Sequence, residues 1–173
     1  DIISFQDLCP ALKLKEIGRN YLTLDCARVS FDGKEYLEER YLPGIFDMLL
    51  KKRFNSELWL KYTFRADYLP EDLQLICEDM RILGVYLNGA ELTLAPGQII
   101  DRKFLTCKIA DKIKSGENEL VFHLNFYQRD YVYRCLFDPE ITESLRNCLY
   151  YDPELEAVYL TGSFAVDFDQ PYR

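Results

Sequence analysis

Residues 115–128 read SGENELVFHLNFYQ and alternate polar with apolar side chains over most of their length. Successive side chains of a β-strand point to opposite faces. One face of this segment is apolar, with Leu120, Phe122, Leu124 and Phe126, and the other bears Val121, His123, Asn125 and Tyr127. The pattern predicts a strand with one face in a core and a second face that is polar yet aromatic.

The same period-two pattern recurs along the chain and predicts a mostly β protein. The predicted strand segments are residues 21–31, 59–66, 72–77, 83–87, 91–94, 104–110, 157–160 and 164–168. Asp32-Gly33, Leu69-Pro70 and Asn88-Gly89 separate them as turns, and Gly116-Glu117-Asn118 turns the chain into the 115–128 segment. We expect structural roles for Asn88, Gly89, Gly116 and Asn118.

Two helices are expected between these strands. Pro43 precedes GIFDMLLKKRF, in which Ile45, Met48 and Leu49 recur at helical spacing, and Lys51-Lys52-Arg53 closes the run as a solvated helix end. In the second, Asp138 is the expected N-cap, with Pro139 in the first helical position. Both read as packing elements.

The composition favours one compact domain without nucleic acid or membrane partners. The 173 residues are 49% hydrophobic, and 29 acidic against 21 basic residues give a net charge of -8, which opposes binding to a phosphate backbone. No apolar run reaches 18 residues, and the first ten residues lack a secretion signal. Because the chain begins without Met, we expect either a processed protein or, in preference, a piece cut from a longer protein.

The six cysteines indicate neither a metal site nor a framework of structural disulfide bonds. They stand at positions 9, 26, 77, 107, 135 and 148, without a CxxC pair or a histidine at ligand spacing, and no calcium-loop pattern is present. We expect no metal and no cofactor, and we expect Cys77 and Cys107 to be small buried residues. A reducing compartment, the cytoplasm, fits this usage.

Catalysis by this chain is not expected. His123 is the only histidine, and no nucleophile signature surrounds any Ser or Cys. Carboxylate pairs such as Glu117 and Glu119 are abundant on any acidic surface, and none is marked as opposed across a cleft. His123, Asn125 and Tyr127, with Arg129 beyond them and Tyr86 on a neighbouring hairpin, could contact a sugar through planar hydrogen-bonding groups. The alternative is an ordinary solvated or covered sheet face.

Three segments in order, WLKYTFRADYLPEDLQLICED, ILGVYLNGAEL and FLTCKIADKIKSGENELVFHL, resemble the sugar-binding β-sandwich domain of glycoside hydrolase family 2 and of related bacterial, rhamnosidase-like glycosidases. The match covers roughly residues 56–127. The matched positions are Tyr62, Thr63, Phe64, Leu69, Pro70, Val85, Leu87, Asn88, Gly89, Leu92, Ile109, Asp111, Ile113, Gly116, Glu117, Asn118 and Leu120.

The resemblance implies an all-β fold, a β-sandwich of the galactose-binding domain-like jelly-roll type, with the two short helices at its periphery. We expect residues 1–173 to form one module, with a leading hairpin and helix in about 1–55, the matching core in about 56–127, and a helix insertion and closing strands in about 128–173. The implied function is that of a non-catalytic module which binds an oligosaccharide or completes the substrate cleft of the parent's catalytic domain. A purely structural spacer is the alternative.

Overall fold

The computed structural model describes residues 18–97 and 103–167, and the remaining parts of the predicted 1–173 module lie outside it. Within these residues the strands are β1 (Asn20–Leu24), β2 (Cys26–Ser30), β3 (Arg40–Tyr41), β4 (Ser56–Ala66), β5 (Gln74–Cys77), β6 (Ile82–Leu87), β7 (Ala90–Glu91), β8 (Ala95–Pro96), β9 (Leu105–Lys108), β10 (Gly116–Phe126) and β11 (Val158–Gly162). The helices are α1 (Leu42–Lys51), α2 (Asp130–Phe137) and α3 (Glu143–Asn147).

The strands form two antiparallel sheets. One has the order β1-β11-β5-β9-β8, and the other the order β3-β2-β4-β10-β6-β7. The two longest strands, β4 and β10, pair over their full eleven residues at the centre of the second sheet, from Gly116 opposite Ala66 to Phe126 opposite Ser56. The register of the larger sheet is therefore set by the segment that dominates the sequence pattern.

The core lies between the sheets and confirms the predicted inward face of β10. The four apolar residues of β10 are buried, together with Leu58, Leu60 and Tyr62 of β4. The rings of Tyr62 and Phe122 meet edge to face with centroids 5.8 Å apart, a favoured aromatic geometry. The all-β sandwich class predicted from the sequence is confirmed.

Helix α1 begins at Leu42, so Pro43 lies in its first turn, where a missing N–H is harmless. The predicted start of the second helix is wrong. Asp138 does not start a helix but ends α2, with the extended backbone expected for a residue before proline. Its side chain accepts a hydrogen bond from the Glu140 N–H in the turn that follows. The next helix, α3, starts at Glu143, and the eight-residue α2 was not predicted, so the described chain has three short helices.

Several strand predictions need correction. Segment 21–31 is interrupted at Asp25, and its halves, β1 and β2, belong to different sheets. The strand predicted at 91–94 is limited to Ala90–Glu91, and residues 164–167 are not in a strand, while Phe168 lies outside the described residues. Cys77 is buried as predicted, but Cys107 is only half-buried because β9 lies near the edge of its sheet.

The helices within residues 18–97 and 103–167 are all shorter than the roughly 20 apolar residues that a bilayer-crossing helix needs.

Candidate functional site

The centre of the outer face of the larger sheet is a stacked pair of rings. Trp59 on β4 and His123 on β10 are directly opposite each other, with ring centroids 4.3 Å apart and planes tilted by 6°. On the β2 side, Gly33 approaches the indole so closely that a Cβ at this position would lie 3.1 Å from Trp59 Cε2. The indole is held between a turn and an imidazole, so it offers a ligand its edge and not an open face.

Carboxylate and amide groups continue this outer face along the strands. Glu57 Oε2 lies 2.8 Å from His123 Nε2, and Asn125 is the cross-strand partner of Glu57. A carboxylate at this distance favours a proton on Nε2, which then donates to it. Glu57, His123 and Asn125 thus form a short row of hydrogen-bonding groups along the exposed edge of the ring pair. We call these three residues the outer-face row.

Tyr86 belongs to the same outer face. Its neighbours on β6, Val85 and Leu87, point into the core, and its ring covers Gly84, where a Cβ would lie 2.9 Å from the phenol oxygen. Gly84 is the cross-strand partner of His123. Because Gly84 has no side chain, the Tyr86 ring occupies the space beside the imidazole. The alternation of residues within β6 could not predict that Tyr86 and His123 share a face, because that depends on the register between β6 and β10.

Tyr127 lies just past the end of β10 and pairs with Arg81. The Arg81 guanidinium lies 4.0 Å from the Tyr127 ring centroid and also donates a hydrogen bond to its phenol oxygen. Arg81 has a positive φ of 60°, and its carbonyl accepts the Asn125 N–H at 3.1 Å. This places a guanidinium at the end of the outer-face row.

Arg129 is part of a separate linkage. Its guanidinium Nε lies 2.7 Å from Asp152 Oδ1, and the backbone N–H of Arg129 donates to Asp152 Oδ2 at 2.8 Å. The neighbouring Gln128 is buried and donates to the Pro153 carbonyl at 2.7 Å while accepting the Asp152 N–H at 3.0 Å. Arg129 therefore joins the start of α2 to the segment before β11, and its contacts do not include the other predicted sugar-binding residues.

The predicted turn residues form a network of amides. Asn118 is fully buried; its Oδ1 accepts from the Lys114 N–H and from Asn88 Nδ2, both at 2.9 Å. Its Nδ2 donates to the carbonyls of Lys114 at 2.8 Å and Gly116 at 3.0 Å. Asn88, Gly89 and Gly116 all have positive φ angles, which Asn and Gly adopt at least cost.

The rest of the outer face is charged and largely paired. Lys61 Nζ lies 3.3 Å from Glu119 Oε1 and 4.2 Å from the centroid of the Tyr36 ring. Burial, followed by the nearby Glu119 and Asp32 carboxylates, raises the pKa of the Tyr36 phenol. In the part of the chain that the structure describes, no three His, Cys, Asp or Glu side chains converge as metal ligands would.

A cleft of about 710 Å³ lies elsewhere, where β1 and β11 separate from the end of β4. Its walls include Leu22, Leu24, Leu73 and Leu160, and its rim includes Arg65, Asp67 and Tyr68. Tyr68 is 67% exposed, and Arg65 Nε donates to Asp67 Oδ1 at 2.9 Å.

Sequence reasoning missed Glu57 and Arg81 as neighbours of the predicted residues, and it left Trp59 without a partner. The sequence did contain a signal for Trp59 and Glu57, because they alternate with the buried residues of β4 and therefore point outward. For Arg81 and the cleft no sequence signal was available, because they depend on loops that only the fold brings together.

Comparison with solved structures finds the fold of this chain in several structures of the β-glucuronidase from Ruminococcus gnavus. Its apo structure matches with a TM-score of 0.52 at 15% identity, over 88% of this chain and 30% of that one. The complex with D-glucuronic acid gives a TM-score of 0.51 at 15% identity, over 88% and 31%. The complex with N1-substituted uronic isofagomine gives 0.52 at 15% identity, over 87% and 31%.

At 15% identity the likeness shows a common fold alone. The chain spans about 30% of the length of these enzymes. No protein-family profile matches the sequence, and no curated protein matches it.

Proposed function

We propose that this chain is a non-catalytic β-sandwich module of a larger glycoside hydrolase that acts in carbohydrate metabolism. The observation that carries the proposal is the fold that 87–88% of the chain has in common with about 30% of a β-glucuronidase chain. The catalytic domain of the parent chain is then the main partner, and hydrolysis of the glycosidic bond takes place there. The five described cysteines are free thiols, which agrees with a reducing compartment, the cytoplasm.

The module's proposed task is to bind an oligosaccharide or glycoside weakly or to complete the substrate cleft of its neighbour. The outer-face row and the neighbouring Tyr86 support this role, because His123, Asn125 and Tyr86 present planar donors and acceptors suited to sugar hydroxyls. Tyr127 and Arg81 extend the row at the end of β10. Arg129 is left out of this version of the site, because its contacts join α2 to the segment before β11 and include none of the other predicted sugar-binding residues.

A structural spacer is the second candidate, and one observation favours it. The Trp59 indole lies between Gly33 and His123, so the aromatic surface on this face is used for packing within the sheet. A spacer would need the outer-face row only to complete its own fold.

A saccharide titration followed by NMR amide shifts separates the two candidates. The panel contains galactosides, rhamnosides, glucuronides and plant-wall oligosaccharides. We expect at least one of them to shift His123 and Asn125, and the double variant Asn125→Ala/Tyr127→Ala to lose that binding while circular dichroism stays unchanged. Lys108→Ala, on β9 of the other sheet, is the matched control and is expected to bind normally.

If no saccharide of the panel shifts any amide signal, the spacer is favoured. Unchanged saccharide affinity in the double variant would refute the assignment of Asn125 and Tyr127 to the site. The module assignment has its own test. The chain alone is expected to hydrolyse no nitrophenyl glycoside, whereas the parent enzyme is expected to lose activity or stability when residues 1–173 are deleted. Turnover by the chain alone would overturn the proposal.

A further inference from the structure

The cleft between β1, β11 and the end of β4 has the size and the walls of a small-molecule site. Its volume of about 710 Å³ falls in the range of roughly 300–1,000 Å³ typical of ligand clefts. It lies on a different part of the sandwich from the outer-face row, since none of that row's residues lines it.

The inner wall of the cleft is apolar. Leu22 and Leu160 are cross-strand partners on β1 and β11, and both line the cleft with Leu24, Leu73 and Ile113. A ligand group that fills this space removes apolar surface from water, which favours binding. A free monosaccharide, with hydroxyls around the edge of its ring, would leave some of those hydroxyls without partners against this wall.

The rim is polar and bears an exposed ring. Arg65 uses one of its five N–H donors on Asp67, and both side chains are largely exposed. Tyr68 follows directly and is among the most exposed aromatic side chains of the described residues at 67%. A ring and a charged pair side by side can hold a hydroxyl-bearing group that projects from the cleft.

We infer that this cleft binds an aryl or alkyl glycoside, with the apolar aglycone against the leucine wall and the sugar at the rim formed by Arg65, Asp67 and Tyr68. The sugar half of this inference rests on the proposed function. The aglycone half rests on the cleft alone.

The test compares phenyl β-D-glucoside with methyl β-D-glucoside, which lacks the aromatic aglycone, and with phenol, which lacks the sugar. The comparison of phenyl with methyl glycoside is repeated for the β-D-glucuronides and the β-D-galactosides. Calorimetry gives affinities, and NMR amide shifts give the location. We expect at least one phenyl glycoside to bind more tightly than its methyl counterpart and than phenol, and to shift Leu24, Leu73 and Tyr68.

Two exposed tyrosines provide matched variants. Tyr68→Ala is expected to weaken phenyl glycoside binding roughly threefold to tenfold, the contribution typical of an aromatic contact. Tyr150→Ala, equally exposed at 70% but not part of the cleft, is expected to leave the affinity unchanged. Ala165→Leu, which adds a side chain at the cleft lining, is expected to weaken binding without touching the rim.

Each outcome has one meaning. Phenol that binds as tightly as the phenyl glycosides overturns the glycoside assignment. Absence of shifts at the cleft with every phenyl probe overturns the inference altogether. If saccharides shift only His123 and Asn125, the proposed function stands and this inference fails.

Discussion

Tyr62 shows what a single polar atom costs in this core. Its side chain is fully buried between the sheets, and its hydroxyl has no hydrogen-bond partner among the described residues. Burial, with the adjacent Cys77 thiol, raises the pKa of the phenol far above its usual value, so the group is neutral at every working pH. A buried hydroxyl without a partner costs about 1–3 kcal/mol.

We therefore expect Tyr62→Phe to increase the free energy of unfolding by about 1 kcal/mol, measured by urea denaturation. Tyr131→Phe is the control of opposite sign, because the Tyr131 hydroxyl donates to the Cys148 carbonyl at 2.9 Å. Its loss is expected to lower the free energy of unfolding. Destabilisation by Tyr62→Phe would mean that the hydroxyl has a partner in solution.

Among the structural elements, the turn after β6 and the start of β10 depend on each other through Asn88 and Asn118. Asn118 makes four amide hydrogen bonds, one of them with Asn88, and Asn88 also donates to the Lys112 carbonyl at 3.1 Å and accepts from the Glu119 N–H at 3.1 Å. Buried polar groups in such a network lose their partners together when one amide is removed.

Asn118→Ala is expected to lower the free energy of unfolding by about 2–4 kcal/mol, since it leaves several buried groups unpaired. Asn88→Gly keeps the positive φ of 52° available and is expected to cost less. The double variant is expected to be less destabilised than the sum of the two, because the second amide has already lost its partner. Strict additivity in urea unfolding would mean that the two amides act independently.

The elements also show where sequence reasoning succeeds. β10 and β4 were predicted because burial of one face imposes a strict alternation on residues such as Phe122 and Leu60. Helix α2, with the sequence DYVYRCLF, was missed because its aromatic and β-branched residues favour strands and no side chain caps its start. Packing of Val132 and Tyr133 against Leu50 of α1 overrides that local preference.

At the scale of the molecule, the all-β class was predictable and the arrangement of the strands was not. The break at Asp25 sends β1 to one sheet and β2 to the other, and no local pattern marks this change. The same limit applies to the candidate sites. The Trp59–His123 pair needs the register of two distant strands, and the cleft needs four separate segments to meet.

One carboxylate joins three such distant segments. Asp72 accepts hydrogen bonds from the Ser163 N–H at 2.8 Å, the Ser163 hydroxyl at 3.0 Å and the Arg19 guanidinium at 3.1 Å. It thereby connects the start of β1, the segment before β5 and the end of β11. These hydrogen bonds, led by the Ser163 N–H, hold the pKa of Asp72 below its ordinary value.

A carboxylate whose pKa is lower in the folded state stabilises the fold above its unfolded pKa, about 3.9 for Asp, and loses that contribution as the pH falls through the folded value. We expect Asp72→Asn to be clearly less stable than the native chain at pH 7 in urea unfolding. The difference between the two is expected to begin to shrink below about pH 4, where the carboxylate of the unfolded chain becomes protonated, and to be lost as the pH falls through the lower pKa of the native carboxylate.

The control is Asp111→Asn, which removes an exposed carboxylate whose one ion pair among residues 18–97 and 103–167 is with its neighbour Lys112 at 3.6 Å. Its effect on stability is expected to be near zero at pH 7, as for most surface ion pairs. A difference between the native chain and Asp72→Asn that does not change with pH would mean that packing around residue 72, and not its charge, holds the three segments together.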